Sequence, residues 1–109
     1  MTATSYALQR LSAAILAPLV LIHIIVMIIA IQGGLSAAEI LGRTQGSWLW
    51  GGFYGVFVVA AGIHISVGLS NILTEWTSMS RGMVAGLAHG YATLAIFLGL
   101  RAVYAVVFA

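Results

Sequence analysis

The stretch Phe53–Glu75, FYGVFVVAAGIHISVGLSNILTE, decides how the chain is read. About 20 apolar residues at 1.5 Å per residue match a hydrocarbon core of roughly 30 Å, and this run is long enough. Its one ionisable side chain near the middle is His64, flanked by Gly62 and Gly68. An imidazole inside a lipid-embedded helix costs free energy unless something partners it, which makes His64 a candidate functional residue.

The rest of the composition agrees with a membrane setting. The chain has 109 residues, 62% hydrophobic and 6% charged, with a mean hydropathy of +1.14. A soluble domain carries roughly a quarter charged residues. So few charges cannot cover a sphere of this size in water, so most of the surface must face lipid. With no cysteine, disulfides, thiolate metal sites and iron–sulfur ligation by this chain are excluded. The net charge of +2 rests on few groups and gives no reason to expect nucleic acid as a partner. No cleavable signal peptide is evident: the first apolar run is too long for an h-region and lacks a clear small-residue cleavage site.

Moving outward from the central run, the pattern predicts an all-α membrane protein of one domain over residues 1–109. It has three transmembrane helices, up-down-up, with spans over about 10–31, 48–73 and 83–107. Residues 1–9 read as a polar lead-in, and Arg10 and Ser12 open the first span. Pro18 inside it removes one backbone hydrogen bond and predicts a kink. Gln32, Gly33 and Gly34 stop it. In Ser36-Ala37-Ala38-Glu39 the spacing is that of a capping box and predicts a short interfacial helix between the first two spans, with Ile40 and Leu41 toward lipid. Trp48, Trp50 and Trp76 mark membrane borders. The stretch SMSRG at 78–82 is short, which makes the second and third spans antiparallel neighbours. Arg101 can snorkel from near the end of the third span. The positive-inside rule does not orient the chain, because arginines and glutamates divide evenly between the two sides. Small residues recur along the spans, among them Ala60, Gly62, Gly68, Gly86, Gly90 and Gly99. They allow another helix, or a flat macrocycle, to come close.

Three histidines carry what chemistry the chain has. Imidazole is the commonest metal ligand, and haem iron is regularly held by it. Gly68 lies one turn beyond His64 on the same face, thinning the helix where a porphyrin would lie. His64 therefore reads as an axial ligand to a b-type haem, or as a buried histidine bonded to a carbonyl or hydroxyl of another helix. Guessed helix ends put His23 and His64 at overlapping depths, roughly 20 and 16 Å from one border. His23 is thus open to the same haem, a second haem nearer the other border, or a polar partner. For His89, beside Gly90 and Tyr91, a backbone or other polar bond is the favoured reading, ahead of a propionate or quinone contact.

Two segments resemble a known family. Leu8-Gln9-Arg10-Leu11-Ser12-Ala13 is similar to the start of the first helix in the three-helix cytochrome b anchor subunits of the succinate dehydrogenase/fumarate reductase family. That start is commonly His-Arg, a further residue, then Ser/Thr and Gly. His64-Ile65-Ser66-Val67-Gly68 resembles the family's His-x-x-x-Gly in the second helix, and Leu21-Ile22-His23 resembles the first-helix histidine of its two-haem members. Glu75 stands where the family usually has aspartate. The likeness covers about two-thirds of the chain, mostly through span length and order. The chain departs where the family often continues Gly-x-Arg-His, since here it reads Gly68-Leu69-Ser70-Asn71. It departs again where Tyr6 replaces a serine four residues before the arginine, with Ser5 adjacent.

The resemblance implies a non-catalytic, haem b-binding anchor subunit of a succinate:quinone oxidoreductase-type complex. It would serve electron transport linked to the tricarboxylic acid cycle, passing electrons between an iron–sulfur subunit and membrane quinone. It implies His64 as a haem axial ligand, His23 as the ligand of a second haem where there are two, and Arg10 beside haem propionates or quinone. Ser12 and Tyr6 are the remaining quinone candidates, with Ser5 beside them. Its partners would be a flavoprotein, the iron–sulfur subunit and a second three-helix anchor chain, related or identical, to complete a six-coordinate site. It would sit in a bacterial inner membrane with its N-terminus cytoplasmic. The rival reading is a non-redox structural or assembly subunit of a membrane complex. A small transporter is disfavoured because neither glutamate lies within a span.

Overall fold

The computed structural model describes residues 2–109. All regular structure in it is helical: α1 (Ala3–Gly33), α2 (Ala37–Thr44), α3 (Trp48–Trp76) and α4 (Arg81–Val107). The three long helices are each apolar enough to cross a membrane, so this is an integral membrane protein.

Local chemistry sets the helix ends. Thr2, Ser36, Ser47 and Ser80 each stand in extended backbone and accept a hydrogen bond from the amide three residues on, the N-cap geometry. For α2, the Ser36 hydroxyl accepts from Glu39 N at 3.2 Å, as the capping-box spacing predicts. α1 begins at Ala3 rather than near Arg10. The Thr2 cap and the helix-compatible run behind it carry the helix past the polar lead-in, where hydropathy marks only the oil-soluble part. α1 also runs unbroken through Pro18. α3 extends to Trp76 and α4 starts at Arg81, so each exceeds its predicted span by two or three residues for the same reason.

α3 is the central rod. Along α1, Gln9, Ser12 and His23 meet Gly68, His64 and the pair Tyr54/Phe57 of α3 in turn. Along α4, Val107, Gly99, Ile96 and His89 meet Gly51, Val58, Gly62 and Ser66. Both sets run in opposite senses along the two helices, so α1 and α4 each lie antiparallel to α3. The core between them is built of small side chains: Ala60, Val84, Ala88, Ala92 and Val107 are all buried. Gly99 is required at its crossing, because a Cβ there would lie 2.6 Å from Val58 Cγ1. Gly86 and Gly90, by contrast, face open space.

α2 packs back onto the end of α4. Thr44 Oγ1 donates to Val106 O at 2.8 Å, Gly46 N to Val107 O at 2.6 Å, and Gln45 Nε2 to Ala109 O at 3.0 Å. The first two bonds satisfy carbonyls in the last turn of α4, which a helix C-terminus leaves without intrahelical donors. Ile40 of α2 is exposed, as expected of a residue turned toward lipid, and also borders the open hollow next to His23.

Candidate functional site

Ser12 and His64 meet where α1 crosses α3. Ser12 Oγ lies 3.3 Å from His64 Nδ1 and 3.0 Å from Gln9 O in its own helix. Ser12 is 3% exposed, so no water competes for its hydroxyl. A serine hydroxyl has one proton. The shorter contact, to a carbonyl one turn back, takes it, a common bond for serine inside a helix. The oxygen's lone pairs then face His64 Nδ1 at 3.3 Å, a geometry that suits an Nδ1–H imidazole.

His64 lines a hollow of about 630 Å³ with Gln9, Gly68, Ile72 and Tyr91. Its floor is the face of α3 between α1 and α4. Gly68 has only the Gln9 side chain within van der Waals reach of the place a Cβ would occupy, so the helix surface beside His64 is flat. Gln9 Oε1 is buried with no hydrogen-bond partner. Sequence reading missed Gln9. Its signal was its position beside Arg10, on the turn of helix that also carries Ser12.

His23 lies elsewhere. Its ring stands edge-on to Tyr54 and Phe57, with centroids 5.6 and 5.4 Å away. Its Nδ1 is buried and unpartnered. It lines an apolar cavity of about 360 Å³ with Thr44, Val58, Gly99 and Val103, roofed by α2. Since Ser12 marks the level of His64 on α1, His23 is eleven residues, or about 16 Å, further along that helix. One iron cannot take both rings as axial ligands, so the same-haem option for His23 is removed.

Arg10 and Tyr6 pair with each other. The Arg10 guanidinium carbon sits 5.6 Å from the Tyr6 ring centroid, a cation–π geometry. Both are exposed on α1, at the same end as His64. Ser5 bonds the Thr2 side chain in the N-cap. His89 Nδ1 and Ser66 Oγ share a hydrogen bond at 2.7 Å, so His89 is held by a side-chain hydroxyl rather than by backbone. The structure thus brings Ser12 to His64 and leaves His23, His89 and the Arg10–Tyr6 pair in separate places.

Among the described residues there is no group of three or more His, Cys, Asp or Glu able to hold a metal ion. A site based on single imidazoles from different chains is not of that kind. Comparison with family models, with curated proteins and with solved structures finds no match to this chain. The likeness to cytochrome b anchors therefore stands on the residues quoted for it alone.

Proposed function

We propose that this chain is a haem b-binding membrane anchor subunit of a succinate:quinone oxidoreductase-type complex. The observation that carries the reading is the His64 ring. Its Nδ1 lies against a buried hydroxyl, and the ring borders an apolar hollow beside a glycine. Metal-bound histidines characteristically donate their other ring nitrogen to a fixed acceptor, and a flat apolar surface beside the imidazole is what a porphyrin needs. The residues present fit one face of such a group. The haem, when bound, supplies one-electron transfer between an iron–sulfur subunit and quinone.

The chain's own residues bind and orient. His64 would hold the haem iron through its imidazole. Arg10, at the same end of the bundle, offers charge-assisted hydrogen bonds to propionates or a quinone carbonyl, and Tyr6 beside it is a further quinone contact. A second three-helix chain, related or identical, would close the open side of the hollow and supply a second histidine to the haem. His23 holds a second haem in the two-haem version of this reading. The three long helices cross up-down-up, with α2 at the interface. The N-terminus is cytoplasmic, in a bacterial inner membrane, where the flavoprotein and iron–sulfur subunits dock on the side of Arg10, Glu75 and Arg81.

The test is a reduced-minus-oxidised spectrum of membranes holding the complex. A b-type band is expected, and His64→Ala abolishes it while the chain still inserts. An unchanged band would remove His64 as a ligand. His23→Ala halves the haem per complex if there are two haems and leaves it unaltered if there is one. The second reading, a non-redox structural or assembly subunit, has one observation in its favour. The His89–Ser66 bond satisfies an imidazole with no cofactor, and His64–Ser12 can be read the same way. Membranes without any b-type band would favour it.

A further inference from the structure

We infer that Ser12 is a positioning residue that sets the tautomer and the pose of His64. Its use in ligation rests on the haem reading above, and its geometry rests on the hydrogen bonds alone. In the resemblance Ser12 stood as a quinone contact. In the structure its hydroxyl is buried and engaged on both sides, by Gln9 O and His64 Nδ1.

The chain of bonds runs Nδ1–H of His64 to Oγ of Ser12, and from the Ser12 hydroxyl proton to the carbonyl of Gln9. Each bond polarises the next. A hydroxyl that has donated its proton is a better acceptor, so it draws the Nδ1 proton and makes the opposite nitrogen more basic. It also stops the ring from flipping, because a flip would put a C–H against the oxygen. Ser12 and Gln9 lie on the same helix, so α1 orients a ligand carried by α3. Neither helix could do this alone. His23 has no such acceptor: its Nδ1 is buried and unpartnered. The two histidines that look alike in sequence are therefore prepared differently.

The experiment uses the full chain in lipid, with ¹⁵N-labelled histidine, at a pH where the rings are neutral. In the native chain the His64 signals should show a protonated Nδ1 and a bare Nε2. Ser12→Ala should give a mixture of tautomers, and Ser12→Thr, which keeps a hydroxyl, should restore the native pattern. In the haem-loaded complex, Ser12→Ala should weaken haem retention by about 10–100-fold, the usual effect of losing a ligand's hydrogen-bond partner. It should also raise the haem midpoint potential, and Ser12→Thr should reverse both changes. An Nε2–H tautomer in the native chain overturns the inference, as does a Ser12→Ala variant with native tautomer, retention and potential. The expected tautomers in membranes that show no b-type band would leave the positioning by Ser12 standing and sink the haem reading instead.

Discussion

At the scale of single residues, the glycines divide into two kinds that composition cannot tell apart. Gly99 sits where Val58 crosses, and a Cβ there would approach both Val58 methyls and its Cβ at 2.6, 2.9 and 3.3 Å. Valine is stiff about χ1, so it cannot swing away, and α3 and α4 must part. Gly99→Ala is expected to cost about 1–3 kcal/mol, the range for overpacking. Gly86 has nothing within 4 Å, so Gly86→Ala should gain roughly 0.5–1 kcal/mol from the helix preference of alanine. Unfolding of the isolated chain in detergent micelles measures both, and equal effects would contradict the packing described. Gly68 is a third case. Gly68→Leu places a side chain in the hollow beside His64, so on the haem reading proposed above it should deplete haem from the complex with little change in unfolding. The histidines show the same limit on sequence reading. That His64 needed a partner was legible from its place in an apolar run. That the partner is Ser12, with Ser66 left to His89, was not. All three long helices are apolar on nearly every side, so periodicity does not reveal which face meets which neighbour.

At the scale of elements, much more was legible. The three long helices follow from the length of each apolar run, and α2 follows from Ser36 and Glu39 at capping spacing. What hydropathy does not report is how far a helix continues beyond oil, hence the early start of α1 at Ala3. It also could not reveal the clasp between α2 and the end of α4, because that clasp is made by backbone carbonyls, which have no sequence signature. The clasp is testable. Thr44→Val removes the donor to Val106 O while keeping the shape of the side chain. It should cost about 1 kcal/mol, the net worth of a typical hydrogen bond, with more if the carbonyl stays dry. Gly46 N donates to Val107 O from a positive φ of 75°, so Gly46→Ala adds backbone strain of order 1–3 kcal/mol. Hydrogen exchange at the Gly46 amide reads both variants. Exchange should quicken in each, and α1 amides near Ser12 should not change. Uniform quickening along the chain would show that α2 holds the whole bundle rather than one corner of it.

At the scale of the whole molecule, the three long rods form a body 48 × 24 × 22 Å. Its long dimension matches a bilayer with its headgroup zones, about 40–45 Å. Trp48 and Trp76, at opposite ends of α3, are 80% and 81% exposed, as side chains of an interfacial belt would be. Between them the surface is oil-soluble, and burial is confined to a few small side chains. Such a chain is stable in lipid without a large core, because the bilayer replaces the interior that a soluble protein must build. The hollow at His64 has a different standing. It offers one imidazole and one wall, with α1 and α4 as its edges, and among the described residues nothing reaches across to supply a second ligand. His23 is about 16 Å along the bundle, and His89 is tied to Ser66. On the haem reading the site is therefore half of one, and assembly must precede tight binding. Produced alone, the chain should enter membranes and resist alkaline extraction, yet show no six-coordinate b-type spectrum while it is monomeric in detergent. The spectrum should arise together with a larger species on size-exclusion chromatography, either when a second anchor chain is co-produced or when the chain pairs with itself. His64→Ala should remove the spectrum. A monomer with a full bis-imidazole spectrum would mean that two rings of one chain meet on one iron, against the roughly 16 Å between His64 and His23 and the hydrogen bond that holds His89 to Ser66.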